Sequence, residues 1–196
     1  PIFVYTNRPE AELFINGKSQ GRQKKDTSIT IDATENKESQ EAFTRQKRYR
    51  LMWMDTKYEP GEVKVVAYDK SGKAVAEQVV RTAGRPHHLE LIADRTSIMA
   101  DGKDIAFVTV RVVDKDGNRI PDDARLLQFK VTGADSFRAA ASGNPASLDA
   151  FHLPQHHAFS GQLVALVQSG EKAGEAILSV SAKGLPTAKI RIQVTK

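Results

Sequence analysis

The chain has 196 residues, of which 40% are apolar and 27% charged, a composition that excludes a disordered polypeptide and suits one or two domains with real cores. It contains no cysteine, which excludes disulfide bonds, thiolate metal sites and cysteine nucleophiles. No apolar run approaches the roughly 18 residues that a membrane-spanning helix needs, so membrane insertion is not expected.

The surplus of positive charge is small and is spread along the chain. Residues 1–84 carry 15 basic and 12 acidic groups, and residues 85–196 carry 14 and 12. The densest basic cluster is residues 45–50 (RQKRYR), and no nucleic-acid recognition motif accompanies it. We therefore expect no nucleic-acid partner and interpret the cluster as a charged approach to a strand.

The chain opens on Pro1 and an apolar run over residues 2–6 instead of a methionine. No charged region followed by an apolar stretch precedes this run, so no signal peptide is visible. We expect the chain to be an excised piece of a longer protein.

Short strand signals follow one another through the first half. Asn16-Gly17 ends an apolar run and predicts a tight hairpin, because both residues tolerate a positive φ. Pro60-Gly61 and Ser71-Gly72 predict two further turns, and the polar residues 32–41 predict a loop. The predicted strands of this half are residues 2–6, 12–15, 19–25, 29–31, 49–54, 63–68 and 74–82.

The segment Ala83-Gly84-Arg85-Pro86 interrupts the pattern and predicts a junction between domains at 1–84 and 85–196. After it, the strongest strand signal covers residues 106–113, where valines alternate with a mixed second face. Residues 143–157 show no clear period. The predicted strands of the second half are residues 89–93, 106–113, 126–132, 163–168, 176–182 and 189–194.

Short strands separated by glycine and proline are typical of antiparallel sandwiches. No amphipathic helix of three turns is recognisable. The predicted fold class is all-β, with two consecutive immunoglobulin-like antiparallel β-sandwiches.

Several stretches of both halves resemble glycoside hydrolase family 2, and they occur in the order found in that family. The first half is similar to a β-sandwich module that follows the catalytic barrel, and the second half is similar to the final domain. The matching stretches of the first half are VYTN (4–7), ELFINGKSQG (12–21), YRLMW (49–53), YEPGE (58–62) and VRTAG (80–84). Those of the second half are ADR (93–95), ADGKD (100–104), VRVVD (110–114), GNRIP (117–121), GNPAS (143–147) and AFSG (158–161).

The resemblance implies a longer parent enzyme of the β-galactosidase or β-glucuronidase type, as is common in gut bacteria. We expect that parent to be exported to the periplasm or the cell surface. The resemblance also implies that both catalytic carboxyl groups come from a (β/α)8 barrel, which takes roughly 250 residues of alternating strands and helices. This chain has neither that length nor those helices, so we assign no catalytic residue and expect no cofactor. The expected partner is the catalytic barrel of the parent, through which oligomers could also form.

Two pairs of closely spaced aspartates are the candidates for catalytic carboxylates. Asp114 with Asp116, and Asp122 with Asp123, flank turn residues, so we interpret all four as solvated turn side chains. Ser160 lacks the glycine two residues earlier that marks a nucleophile elbow.

The histidines of the irregular segment 143–157 are the best metal-ligand candidates in the sequence. His152, His156 and His157 lack a matched carboxylate at a known spacing, so we predict no metal site. We predict an ordered surface loop that is anchored by Phe151, with its histidine side chains facing outward.

Aromatic side chains are the remaining candidates for a carbohydrate-binding site, because sugars stack on exposed aromatic rings. Tyr58 and Trp53 are the candidate carbohydrate-binding residues, with Tyr49 near them. The alternative for Trp53 is the sandwich core, since it alternates with Leu51 and Tyr49. Packing is likewise the alternative for Tyr58.

Three functions from different classes remain open at this point. The chain is a non-catalytic C-terminal scaffold of a family 2 glycoside hydrolase, an independent carbohydrate-binding module, or an immunoglobulin-like spacer of a bacterial surface protein. The first-half motifs favour the scaffold. The absence of a repeat between the two halves weakens the spacer. An apolar surface patch would favour the scaffold, and an exposed aromatic row would favour the binding module.

Overall fold

The computed structural model describes residues 1–25, residue 42 and residues 48–196, which form two compact units, Pro1–Thr82 and Ala83–Lys196. The predicted strand at 29–31, the predicted loop at 32–41 and the first part of the 45–50 cluster lie outside the described residues. In the parts of the chain that are described, no helix has both the length and the apolar character to cross a membrane.

The described part of the first unit is built from antiparallel strands. They are β1 (Ile2–Tyr5), β2 (Glu10–Ile15), β3 (Lys18–Lys24), β4 (Arg50–Trp53), β5 (Glu62–Tyr68) and β6 (Ala74–Arg81). β1 pairs with β4, and the other four lie in the order β3-β2-β5-β6. Ala11 and Leu13 of β2 form a buried cluster with Leu51 and Trp53 of β4. Period-two alternation therefore places Leu51 and Trp53 on the buried face of β4.

The turn between β2 and β3 confirms the Asn16-Gly17 prediction. Asn16 has a φ of 49° and Gly17 a φ of 79°, and Ile15 pairs directly with Lys18 across the turn. Positive φ at both central residues defines a type I′ turn, whose twist matches that of the flanking strands.

The second unit, which is described throughout, is a sandwich of two sheets. Its strands are β7 (His88–Ala93), β8 (Ser97–Met99), β9 (Ile105–Val113), β10 (Leu126–Gly133), β11 (Asp135–Ala141), β12 (Gln155–His157), β13 (Gln162–Ser169), β14 (Gly174–Ala182) and β15 (Leu185–Thr195). One sheet has the order β12-β10-β14-β15-β8 and the other the order β11-β13-β9-β7.

The core of the second unit lies between these sheets. Val108, Val110 and Val112 of β9 are completely buried, as their alternation predicts. They pack with Leu178 of β14 and Leu127 of β10, which come from the opposite sheet. Each such side chain stabilises the fold by about 1.5–3 kcal/mol when it leaves water.

Three short or weak strands of the second unit, β8, β11 and β12, are not predicted from the sequence. β8 and β12 have only three residues each, and β11 is rich in alanine and contains a bulge at Arg138. Such segments carry little β-propensity of their own and form because neighbouring strands offer them hydrogen bonds. β8 also runs parallel to β15, so the sheet is not uniformly antiparallel.

Asp114 corrects the interpretation of the acidic pairs as solvated residues. Its side chain is buried, and its carboxylate accepts hydrogen bonds from the backbone N–H groups of Gly84 at 2.8 Å, Asp116 at 2.9 Å and Asn118 at 2.8 Å. The Asn118 side-chain amide donates another at 3.0 Å. These donors, with that of Gly84 foremost, hold the pKa of Asp114 far below its usual range.

We expect the second unit to lose stability in acid. A carboxyl group whose folded pKa is depressed stabilises the fold above its unfolded pKa of about 3.9, and this contribution disappears as the pH falls below that value. The pKa values of Asp101 and Asp149 are also lowered in the folded unit. The urea midpoint measured by circular dichroism should therefore fall between pH 5 and pH 2.

The Asp114→Asn variant is the check on this prediction. We expect a lower urea midpoint at pH 7 and a smaller loss on acidification, because the titrating acceptor has been removed. Trp53 and all four tyrosines lie in residues 1–82, so tyrosine and tryptophan fluorescence reports the first unit alone. An unchanged pH dependence in Asp114→Asn would contradict the assignment.

Candidate functional site

Trp53 lies in the core of the first unit. Its side chain is 4% exposed, and its indole N–H donates a hydrogen bond to the carbonyl oxygen of Gly21 at 3.1 Å. Leu51 is buried beside it, whereas Tyr49 precedes the strand and is 57% exposed, so Tyr49 does not continue the buried face. A buried ring has no free face for a sugar, and this burial agrees with the core interpretation of Trp53.

Tyr58 lies on the surface, in the segment between β4 and β5. Its ring is 77% exposed, and its hydroxyl group lies 3.2 Å from the hydroxyl oxygen of Thr82. That threonine oxygen also accepts a hydrogen bond from the N–H of Gly61 at 3.0 Å. The exposed ring keeps Tyr58 as a candidate contact for carbohydrate, and this role remains a prediction.

Two predicted turns meet beside Tyr58. The Asn16 side chain donates a hydrogen bond to the carbonyl oxygen of Pro60 at 3.2 Å and accepts one from the N–H of Glu62 at 2.8 Å. Gly61 has a φ of 135°, and a Cβ atom there would lie 1.9 Å from the Asn16 oxygen. The Asn16 side chain therefore fixes the loop at Pro60-Gly61, and this loop positions the segment that carries Tyr58.

An open cavity of about 350 Å³ lies along β3 and β4. Its lining is mostly polar and consists of Gln20, Gln23, Met52, Trp53, Met54, Asp55 and Thr56. The Gln23 side chain is already paired with the backbone of Met52, donating at 2.9 Å and accepting at 3.3 Å. The Gln23 side chain is therefore largely occupied within the unit.

Asp123 of the second acidic pair is also structural. Asp123 is largely buried and forms an ion pair with Arg125, with a shortest nitrogen–oxygen distance of 2.6 Å. The Arg125 backbone N–H donates to the same carboxylate at 3.0 Å. Asp123 is therefore another correction to the solvated interpretation, whereas Asp116 and Asp122 are exposed as predicted.

The segment 143–157 corrects the predicted loop anchor. Phe151 is 61% exposed and Leu148 is fully exposed, so neither apolar side chain attaches the loop to the sandwich. The attachment is made by the backbone: Ala140 donates to the carbonyl oxygen of Phe151 at 2.8 Å, and Phe129 donates to that of Pro154 at 2.9 Å.

His156 is buried instead of facing outward. Its side chain has no exposed surface, its Nδ1 lies 2.9 Å from the carbonyl oxygen of His157, and the Phe151 ring stacks parallel to it at 6.1 Å. The alternation of His156 with the buried Ala158 was the sequence signal for this inward face. His157 is exposed as predicted, and its ring lies 2.9 Å from a carboxylate oxygen of Asp149.

Within the described residues, Ser160 and the candidate metal ligands form no catalytic or metal-binding arrangement. Ser160 has a φ of 50° and Gly161 a φ of 72° in a two-residue hairpin closed by Phe159 and Gln162, so the strained serine belongs to a type I′ turn. Among the described residues, no group of three or more histidine, aspartate or glutamate side chains is placed to hold a metal ion.

Comparison with known protein families gives matches to both units. The description "glycoside hydrolase family 2 C-terminal domain 5" matches residues 89–191, and a domain of unknown function, DUF4982, matches residues 1–76. A β-galactosidase of Bacteroides ovatus is 38% identical over 188 residues, which is 96% of this chain and 20% of that enzyme. A β-galactosidase of Thermoanaerobacter pseudethanolicus is 29% identical over 90% of this chain and 21% of its own length.

Solved structures agree with these matches. A glycosyl hydrolase family 2 member from Bacteroides cellulosilyticus superposes with a TM-score of 0.84 at 30% identity, over 99% of this chain and 22% of its own. A β-glycosidase from Bacteroides vulgatus superposes with a TM-score of 0.82 at 28% identity, over 98% of this chain and 22% of its own. The chain thus spans about a fifth of the length of the relatives that it matches.

Proposed function

This chain belongs to glycoside hydrolase family 2 and contains the C-terminal domain 5 of that family, and from this premise we propose that it is a non-catalytic part of a larger glycoside hydrolase. The parent would hydrolyse O-glycosidic bonds, as the name β-galactosidase of its two relatives implies. In that parent the two sandwiches would act as a scaffold for the catalytic barrel.

One observation carries this proposal. Nearly the whole chain, 99% of it, superposes on a family 2 glycosyl hydrolase, yet it covers only 22% of that protein. A retaining glycosidase needs two carboxyl groups about 5–5.5 Å apart, one of them free to act as a nucleophile. The buried carboxylates Asp114 and Asp123 are instead occupied by the hydrogen bonds and the ion pair of their own turns.

We expect the purified 196-residue chain to show no hydrolysis of an aryl β-galactoside above the buffer rate. The longer polypeptide encoded by the same gene, assayed in parallel, should hydrolyse a substrate of this class. Turnover by the short chain that a single aspartate or glutamate substitution abolishes would contradict the non-catalytic role. Inactivity of the longer polypeptide towards a panel of aryl glycosides would contradict the proposed parent activity.

A further inference from the structure

The two sheets of the second unit differ in the side chains that they turn away from the core. On the sheet β12-β10-β14-β15-β8, most outward positions are polar or charged, including Gln128, Lys130, Glu175, Ser179, Lys189 and Arg191, and Ile177 and Met99 are isolated apolar exceptions. On the sheet β11-β13-β9-β7, the central outward positions are apolar apart from Thr109. We call these the apolar band: Ile92, Phe107, Ala139, Ala141, Val164 and Leu166.

The strand register makes the apolar band continuous. Leu166 lies directly opposite both Phe107 and Ala139, which gives one row across three strands. Val164 lies opposite Ala141 and Thr109, and Thr109 lies opposite Ile92, which gives the adjacent row. The residues between these positions, such as Val108 and Ala165, point into the core. The band is therefore a second apolar face on a sheet whose first face is already buried.

A polar row borders the apolar band at one end, and a mostly polar row borders it at the other. On one side lie Gln162, Arg111 and Glu90 in register, with an Arg111–Glu90 ion pair at 3.6 Å. On the other side lie Ser136, Gln168 and Ile105 in register, so that border is polar at two of its three positions. Phe107 is 44% exposed and Ile92 is 41% exposed. An uncharged apolar centre with a polar rim is the composition of a protein–protein contact.

We propose that the apolar band packs against the catalytic region of the parent polypeptide, an inference that rests on the proposed function above. The Bacteroides ovatus relative has 80% of its length outside the matched region, since the match covers 20% of it. A parent of that size therefore offers ample surface from the same polypeptide. The surface that fits must itself be apolar and uncharged, because the band offers no charge to pair.

The area of the apolar band favours this occupant over a second copy of the chain. Strands about 4.8 Å apart and two side-chain rows about 7 Å apart give a patch of roughly 300 Å². A stable dimer interface buries about 800 Å² on each partner, so the band alone is too small for one. A contact within one polypeptide needs less area, because tethering holds the partner at an effective concentration in the millimolar range.

The experiment is hydroxyl-radical footprinting of Phe107 in the 196-residue chain and in the full-length parent, read by mass spectrometry. We expect Phe107 to be oxidised readily in the short chain and at least fivefold more slowly in the parent. Equal rapid oxidation in both proteins would overturn the proposal. Slow oxidation in the short chain at every concentration would show that the chain covers the band itself, and slow oxidation only at high concentration would show self-association. Either result would also overturn it.

A matched pair of variants tests the contact from the opposite direction. Leu166→Thr removes apolar surface from the band and puts a residue of high β-propensity in its place, and Ile177→Thr does the same on the outer face of the other sheet. In the parent, Leu166→Thr should raise the oxidation rate of Phe107 at least twofold, and Ile177→Thr should leave it unchanged. Equal effects of the two variants would contradict a specific contact.

The footprint is independent of enzymatic activity. A parent that lacks glycosidase activity would contradict the proposed function, yet the protection of Phe107 would still be measurable. Conversely, an active parent in which Phe107 is freely oxidised would overturn only the docking of the band.

Discussion

Replacing Trp53 with alanine is expected to lower the free energy of unfolding of the first unit by about 3–5 kcal/mol. The side chain is 4% exposed and packs with Leu13, Ala11 and Leu51, so its removal leaves a large cavity in the core. The lost indole also leaves the carbonyl oxygen of Gly21 without its 3.1 Å donor. Urea denaturation followed by tyrosine fluorescence measures the effect, since all four tyrosines lie in this unit.

Tyr49→Ala is the control for Trp53→Ala. Tyr49 is an aromatic residue close in sequence but 57% exposed, so its truncation should change the unfolding free energy much less. Unchanged denaturation of Trp53→Ala together with a loss of sugar binding would show that Trp53 is a binding platform and that its core assignment is wrong. Tyr58 is the residue to substitute next in that event, because its ring is exposed.

Gly161→Ala is expected to destabilise the second unit by about 3 kcal/mol. Gly161 has a φ of 72°, and a Cβ atom there would lie 2.0 Å from the carbonyl oxygen of Ile120, so the backbone itself must move. The N–H of Gly161 donates a hydrogen bond to the backbone carbonyl oxygen of Asp123 at 2.8 Å, and its carbonyl oxygen accepts one from the N–H of Val112 at 2.9 Å. Displacement therefore disturbs contacts to a central strand as well as to the turn.

The matched control for this substitution is Gly117→Ala. Gly117 also has a positive φ, 83°, but nothing lies within 4 Å of a Cβ atom there. It should therefore cost only the conformational strain of the turn, about 1 kcal/mol. Urea denaturation followed by circular dichroism compares the two variants. Equal losses of stability would show that the contact with Ile120 is relieved without cost.

Among the candidate site residues, the sequence favours the correct burial for Trp53 but not for Asp114 and His156. Alternation with Leu51 was sufficient to favour the core for Trp53, because burial on a strand follows a period of two. Asp114 was assigned to the correct turn, but its burial depends on Gly84, thirty residues earlier, which donates to its carboxylate. The outward prediction for His156 is wrong, because its alternation with Ala158 spans a strand of only three residues and is too short a signal to predict burial.

The apolar band was present in the sequence but could not be interpreted there. The alternation in residues 105–113 identifies Phe107 and Thr109 as sharing a face, and the sequence of β13 does the same for Val164 and Leu166. Only the register of β13 against β9 shows that the two sets lie side by side. Pairing depends on contacts between residues more than fifty positions apart, which no local pattern encodes.

The sequence by itself determined the fold class, most strands, the type I′ turn at Asn16-Gly17 and the resemblance to the family, because alternation and turn chemistry are properties of a few adjacent residues. Only the tertiary structure decided the parallel pairing of β8 with β15, the burial of Asp114 and His156, and which outer face of the second sandwich is apolar. These features depend on which distant strands become neighbours, and that is set by the packing of the whole unit.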